Sequence, residues 1–431
     1  MKKRVFLFMF AAMFSVSACS SQDAVSESTT VTVCTTEPTV EETTTEESST
    51  QTESESIPEA EQEEDAILKD TAFGPVKGIE KGEALVWYGV PYGKEPSGDL
   101  RWKAPENPEA WTDIYDASER KDTAMQLGGD GIIGTEDCLN LDIYSTKDAK
   151  KLPVMVFIHG GNNQTGNTNE LRGEEMVVKD DMVLVSVNYR LGLLGFNCLP
   201  ALQTEADSTG NYALLDIAKA LDWVKANIEQ FGGDPDNITI SGFSAGGRDV
   251  MAMLISPIFK DKFHKAIAFS GGMTVADEEL SSAKIAKAIA PLAVEDGKAA
   301  DENEAAEWLL GTSDDVREYL YELSPERLCS LMGNAGIRMS VFPHLYMDDV
   351  VLPTDGFDTE TYNEVPILML TGTTEFSMFA YGDAYYSSDT MAALSEEELE
   401  TAKNFAIIYG SKMYGYFNAE GELERTVKPA I

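Results

Sequence analysis

Histidine and cysteine are scarce in this chain, with three and five residues among 431. Three histidines cannot build a histidine-rich metal centre. Cys19 closes the leader and Cys34 lies in an acidic tail. The remaining Cys138, Cys198 and Cys329 lack metal-ligand spacing, so neither a zinc site nor a disulfide framework is indicated. No metal or cofactor is expected. Basic residues are also few: 33 Lys and Arg stand against 74 Asp and Glu, a formal charge of -41. Such a charge repels nucleic-acid phosphates and anionic headgroups, which excludes nucleic acid as a partner. It reads most simply as a solvated surface plus an acidic tail. Long apolar runs are missing too, apart from roughly a dozen residues near the start, too short for a permanent membrane span.

That start, "MKKRVFLFMFAAMFSVSAC", has a basic cluster, an apolar stretch and small residues, the order of a signal peptide over residues 1–18. Val16-Ser17-Ala18-Cys19 resembles a bacterial lipobox, in which Cys19 is lipidated and becomes the mature N-terminus. Ordinary cleavage near Ala18 with a free Cys19 is the alternative. Either way the chain is expected to be exported, and lipidation would anchor it at the outer face of a bacterial membrane. From Ser20 to about Ile67 there is no Lys or Arg, only Ser, Thr and Glu with little else. Such a segment buries too little apolar area to offset its chain entropy, so residues 19–69 are expected to be a tether, the other reading being an acidic binding tract.

Folded sequence is expected over 70–431 as one domain, with no second composition break. Short apolar runs recur between turn residues: "ALVWYGV", "LNLDIY", "LPVMVFI", "MVLVSVNY", "NITISGF", "KAIAFS" and "VPILML". From Leu152 onward they alternate with helical stretches. In one of these Leu214, Leu215, Ala218, Leu221, Val224 and Ile228 recur at helical spacing. Continuous apolar strands with helices between them predict an α/β fold, its parallel sheet covered on both faces.

The run "DNITISGFSAGGRDVMAMLIS" carries the first chemical signal. Gly-x-Ser-x-Gly alone is common and weak. Here the β-branched Ile238-Thr239-Ile240 runs into it and a helical pattern runs out, the strand-turn-helix that a nucleophile elbow requires. Gly242 and Gly246 let strand and helix approach, while Ser244 sits in a strained, exposed conformation; a merely structural glycine turn is the alternative. The second signal is "LPVMVFIHGGNNQTG", a buried strand followed by His159-Gly160-Gly161-Asn162. Acyl transfer places negative charge on a carbonyl oxygen, and backbone N–H groups fixed at a glycine turn can receive it. The two motifs in this order are the two donor sources of α/β-hydrolases.

With these residues in place, the chain resembles the type-B carboxylesterases, the family that also holds cholinesterases and para-nitrobenzyl esterases. The likeness runs from about Phe73 to the end through "VWYGVPYGKEPSGDLRWKAPENPEAW", "EDCLNLDIY", "VNYRLGLLGF" and "FHKAIAFSG". It implies an α/β-hydrolase fold, a small-molecule ester as substrate, Ser244 as nucleophile, and an oxyanion hole from the N–H groups of Gly161, Asn162 and Ala245. The family usually has glycine where Asn162 stands, and Asn tolerates unusual backbone angles better than most residues. Two structural ion pairs are also implied, Arg101 with Glu136 and Arg190 with Asp216.

The resemblance places the triad acid after a later strand, where "VPILMLTGTTEFSMF" offers Glu375; Asp348 and Asp349 are the alternatives but precede that strand. No histidine follows Glu375. His159 and His264 read as structural, and His344 precedes the acid, so none fits the order Ser, acid, His. The family's base follows the acid in a His-Gly context. The expectation is therefore a chain incomplete at its C-terminus, without the last strand and the catalytic-histidine loop, and with little activity as printed. Two departures matter further. Phe243 stands where many relatives carry Glu, which disfavours a cationic ester. Cys138 meets Met125 at the position of its usual partner and is expected to be free and buried. The rival to an esterase is a catalytically silent cell-surface binding module on the same fold.

Overall fold

The computed structural model describes residues 65–204, 208–334 and 343–372, and the backbone of 415–417 and 423–426. Among the described residues eight strands form the main sheet: β1 (Ile79–Lys81), β2 (Ala84–Pro91), β3 (Asn140–Thr146), β4 (Leu152–Ile158), β5 (Val183–Val187), β6 (Gly233–Phe243), β7 (Lys265–Phe269) and β8 (Ile367–Leu370). Their spatial order is β8-β7-β6-β4-β5-β3-β2-β1. β4 to β8 run parallel to one another, while β1, β2 and β3 join antiparallel at the other side. Each apolar run named above overlaps one of these strands.

Parallel neighbours need crossovers, and helices supply them. α1 (Gly173–Asp180) links β4 to β5, α2 (Tyr212–Asn227) links β5 to β6, and α3 (Ala245–Ile255) links β6 to β7. Side chains alternate across the sheet with the strand period of two. Along β2, Ala84, Val86 and Tyr88 pack into a cluster with Tyr144, Phe157, Val177 and Leu184, whereas Leu85 and Trp87 point into the larger core on the opposite face. The domain already includes residue 67, whose carbonyl accepts from Trp87 Nε1 at 2.7 Å.

One strand departs from the expected burial. β8 pairs with β7, yet Ile367, Leu368, Met369 and Leu370 are 42%, 52%, 54% and 42% exposed. Its apolar sequence suits a covered central strand. Among the described residues it is an edge strand with one neighbour, β7.

β4 and β6 are adjacent, with Ile158 opposite Gly242. The residues that follow each strand, His159 and Ser244, therefore emerge side by side at the carboxyl ends of parallel strands. That is where open α/β sheets form their binding crevices.

Candidate active site

Ser244 closes β6 and precedes the first residue of α3 with φ 56° and ψ -116°. An L-residue at that φ is strained, and such strain persists only where the surroundings fix it. Here the Ser244 N–H donates to the Phe269 carbonyl on β7 at 2.8 Å, and the Ser244 carbonyl accepts from Arg248 N–H at 3.0 Å. The side chain is half-exposed between exposed Phe243 and buried Ala245. The flanking glycines are sterically required. A Cβ on Gly242 would stand 2.3 Å from the Gly246 backbone, and one on Gly246 would stand 2.0 Å from the Ile158 carbonyl oxygen.

The turn after β4 abuts this elbow. A Cβ on Gly160 would lie 2.9 Å from the Phe243 carbonyl and 3.2 Å from Ser244 Cβ. Gly161, Asn162 and Asn163 follow with φ of 97°, 58° and 56°, three successive left-handed residues that curl the backbone. The Gly161 carbonyl accepts from Gln164 N–H at 3.1 Å and Thr165 N–H at 3.0 Å, and the Asn163 carbonyl from Gly192 N–H at 2.7 Å. Among the described residues, the N–H groups of Gly161 and Asn162 have no acceptor. The N–H of Ala245, at the first turn of α3, has none within the helix by geometry. The turn that carries the first two of these N–H groups follows Gly160, which lies against Ser244, and the third belongs to the residue after the serine.

The turn is braced by groups that pattern alone did not single out. Glu170 Oε2 accepts from Gly160 N–H at 2.7 Å, and burial raises its carboxyl above the ordinary carboxylate range. Asn162 Oδ1 accepts from Arg248 Nη2 at 3.2 Å, and Asn163 Nδ2 donates to Asp249 Oδ1 at 2.9 Å. Burial lifts the Asp249 carboxyl to about 7, opposed by the Asn163 hydrogen bond and the charge of Arg248. A signal was available in the sequence, because Arg248-Asp249 interrupts an otherwise apolar helix.

The histidines serve the framework. His159 is buried, stacks on Tyr189 at 4.4 Å, and has Nδ1 2.9 Å from the Gly160 carbonyl; burial depresses it to about 4, so it is neutral at pH 7. His264 Nδ1 accepts from Ile238 N–H at 3.0 Å, tying β6 to the approach of β7. His344 packs its ring against Phe196, 5.6 Å between centroids.

Both expected ion pairs are present and bidentate. Arg101 Nε and Nη2 donate to Glu136 at 2.6 Å each, and Arg101 Nη1 reaches the Leu323 carbonyl at 2.8 Å. Arg190 Nε and Nη2 donate to Asp216 at 2.8 and 2.7 Å, with all four side chains buried or nearly so. Cys138 is free and buried, as expected. Asp348 is spent on structure, accepting from the backbone N–H groups of Val350, Val351 and Leu352. Glu375 and Cys19 lie outside the described residues, as do the leader and nearly all of the tether.

Comparison with known proteins bears on the chain as a whole. The sequence pattern of the carboxylesterase family matches residues 65–425. The chain is similar to the para-nitrobenzyl esterase of Bacillus subtilis (strain 168), 38% identical over 258 residues that cover 57% of this chain and 52% of that protein. It is similar to the fumonisin B1 esterase of Sphingopyxis macrogoltabida, 37% identical over 50% of this chain and 41% of that protein. Among solved structures, a carboxylesterase of Geobacillus stearothermophilus superposes with a TM-score of 0.65 at 30% identity, covering 79% of this chain and 67% of that one. The chain's matched segments span about half the length or less of these curated relatives, 52% and 41%.

Proposed function

This chain belongs to the carboxylesterase family, and from that premise we propose that it carries the nucleophile and oxyanion hole of a serine hydrolase that cleaves carboxylic esters through an acyl-enzyme. Ser244 Oγ adds to the ester carbonyl carbon and its proton passes to a base. The carbonyl oxygen becomes an oxyanion held by the N–H groups of Gly161, Asn162 and Ala245. The tetrahedral centre then expels the alcohol, which regains a proton, and water repeats the sequence on the acyl-serine. Donors placed in advance need no reorganisation as charge develops, which is why each is worth a few kcal/mol, about 3, in a dry site.

The observation that carries this reading is the contact between elbow and turn, where Ser244 Cβ stands 3.2 Å from the position a Gly160 Cβ would occupy. Glu375 is proposed as the acid that orients the base. The base is assigned to none of His159, His264 and His344; the first two are tied into the framework. Uncharged or apolar esters are the proposed substrates, because exposed Phe243, rather than a carboxylate, precedes the serine. Export and anchoring through lipidated Cys19 are proposed from the leader.

Labelling the full-length gene product with a fluorophosphonate tests the reading. Support is a covalent adduct on Ser244 that disappears in Ser244→Ala. No adduct on the unaltered protein would leave the silent binding module as the better account.

A further inference from the structure

We propose that Arg248 and Asp249 are positioning residues that hold the oxyanion turn in its working shape through Asn162 and Asn163. The proposal rests on the assignment of Ser244 and its donors above. Both side chains leave α3 one turn past the serine and reach back to consecutive residues of the turn, Arg248 Nη2 to Asn162 Oδ1 and Asp249 Oδ1 to Asn163 Nδ2.

Stability alone does not explain them. Arg248 is 4% exposed and Asp249 fully buried, yet among the described residues Arg248 Nε and Asp249 Oδ2 have no hydrogen-bond partner. A buried charge without full compensation costs more than an apolar side chain of similar volume. The rest of α3 is apolar, so methionine or leucine at these positions would suit the core better.

What the two residues do supply is local. Asn162 and Asn163 adopt φ of 58° and 56°, a conformation disfavoured for residues with a Cβ. Glycine, usual at the position of Asn162 in the family the chain resembles, would enter it freely. An asparagine there must be held, and a guanidinium on one side chain with a carboxylate on the next holds both. Anchoring the Asn162 side chain restrains its φ, and so the orientation of the preceding Gly161–Asn162 peptide unit, which carries the Asn162 N–H. Neither residue touches substrate in this scheme; each acts through an asparagine.

Four proteins test this: the full-length product, Arg248→Met, Asn162→Gly and the double variant. Hydrogen exchange of backbone amides in residues 160–166 is the first readout, and the rate of fluorophosphonate labelling at Ser244 the second. Losing one charge-assisted hydrogen bond predicts that Arg248→Met speeds exchange about ten-fold and slows labelling about ten-fold. In the Asn162→Gly background the same change has less than about a two-fold effect, since the side chain it acts through is gone. Equal effects in both backgrounds would mean that Arg248 serves only packing, and no effect in either would mean that it does not hold the turn; both overturn the proposal. Asp249→Asn, which keeps an acceptor for Asn163, retains slow exchange whereas Asp249→Leu does not. If Ser244 takes no label even in the unaltered protein, the hydrolase reading fails, while the exchange measurement still decides the clamp.

Discussion

Gly246 lies against Ile158, so closely that a methyl group on its α-carbon would stand 2.0 Å from the Ile158 carbonyl oxygen. The obstacle is backbone of the central strand β4, which cannot swing aside as a flexible side chain would. Gly246→Ala must therefore part helix α3 from the sheet, displacing Ser244 with it. We expect a loss of about 1–3 kcal/mol or more in urea unfolding and no fluorophosphonate adduct at Ser244. A variant of unchanged stability that still labels would show that strand and helix do not meet this closely.

The buried pair Arg190–Asp216 should behave unlike its surface counterparts. Asp216→Asn leaves a guanidinium at 3% exposure facing a neutral amide, and is expected to cost about 3–5 kcal/mol. Glu175→Gln, at the exposed Arg172–Glu175 pair, is expected to cost under about 1 kcal/mol. Denaturant midpoints of the two variants, taken side by side, check the contrast.

Asp249 gives a pH signature. Its carboxyl sits near 7 in the fold, raised by burial, against about 4 in an unfolded chain. Between those values the unfolded chain has given up a proton that the native protein keeps. Stability linked to this group is thus complete below about pH 4, drains as pH rises to about 7, and is level above that. The groups around it are Arg248 on the same helix, Tyr189, whose hydroxyl lies 3.3 Å from Asn163 Oδ1, and beyond Tyr189 the stacked His159 and the Glu170 carboxyl. Asp249→Asn lacks the ionisation, so its stability relative to the unaltered protein should climb by up to about 4 kcal/mol from pH 4 to 7 and then flatten. Thermal unfolding across that range measures it; a constant difference would mean that Asp249 is ionised throughout.

Much of this was legible in the sequence, and the parts that were not have physical reasons. Ile238-Thr239-Ile240 and Leu152–Ile158 announce strands because β-branched and apolar runs between turn residues suit a sheet buried on both faces. Gly242 and Gly246 could be read correctly because only a tight crossing needs glycine at both. "VPILML" reads as a strand and is one, but its exposure is not legible, because pattern carries no information about which neighbours are present. The direction of Arg248-Asp249 stayed hidden for a different reason. A charged pair on a helix ordinarily faces water, so its interruption of an apolar helix marks the pair without revealing that it turns inward toward Asn162 and Asn163. Asn162 was noticed as a departure from glycine, yet what holds it at positive φ lies 86 residues away along the chain.

The most direct test of the central claim is a crystal structure of the full-length product after reaction with a fluorophosphonate. The account predicts phosphorus bonded to Ser244 Oγ, with one phosphonyl oxygen about 2.7–3.1 Å from the amide nitrogens of Gly161, Asn162 and Ala245. A phosphonyl oxygen turned away from those nitrogens, or phosphorus on any residue other than Ser244, would contradict it.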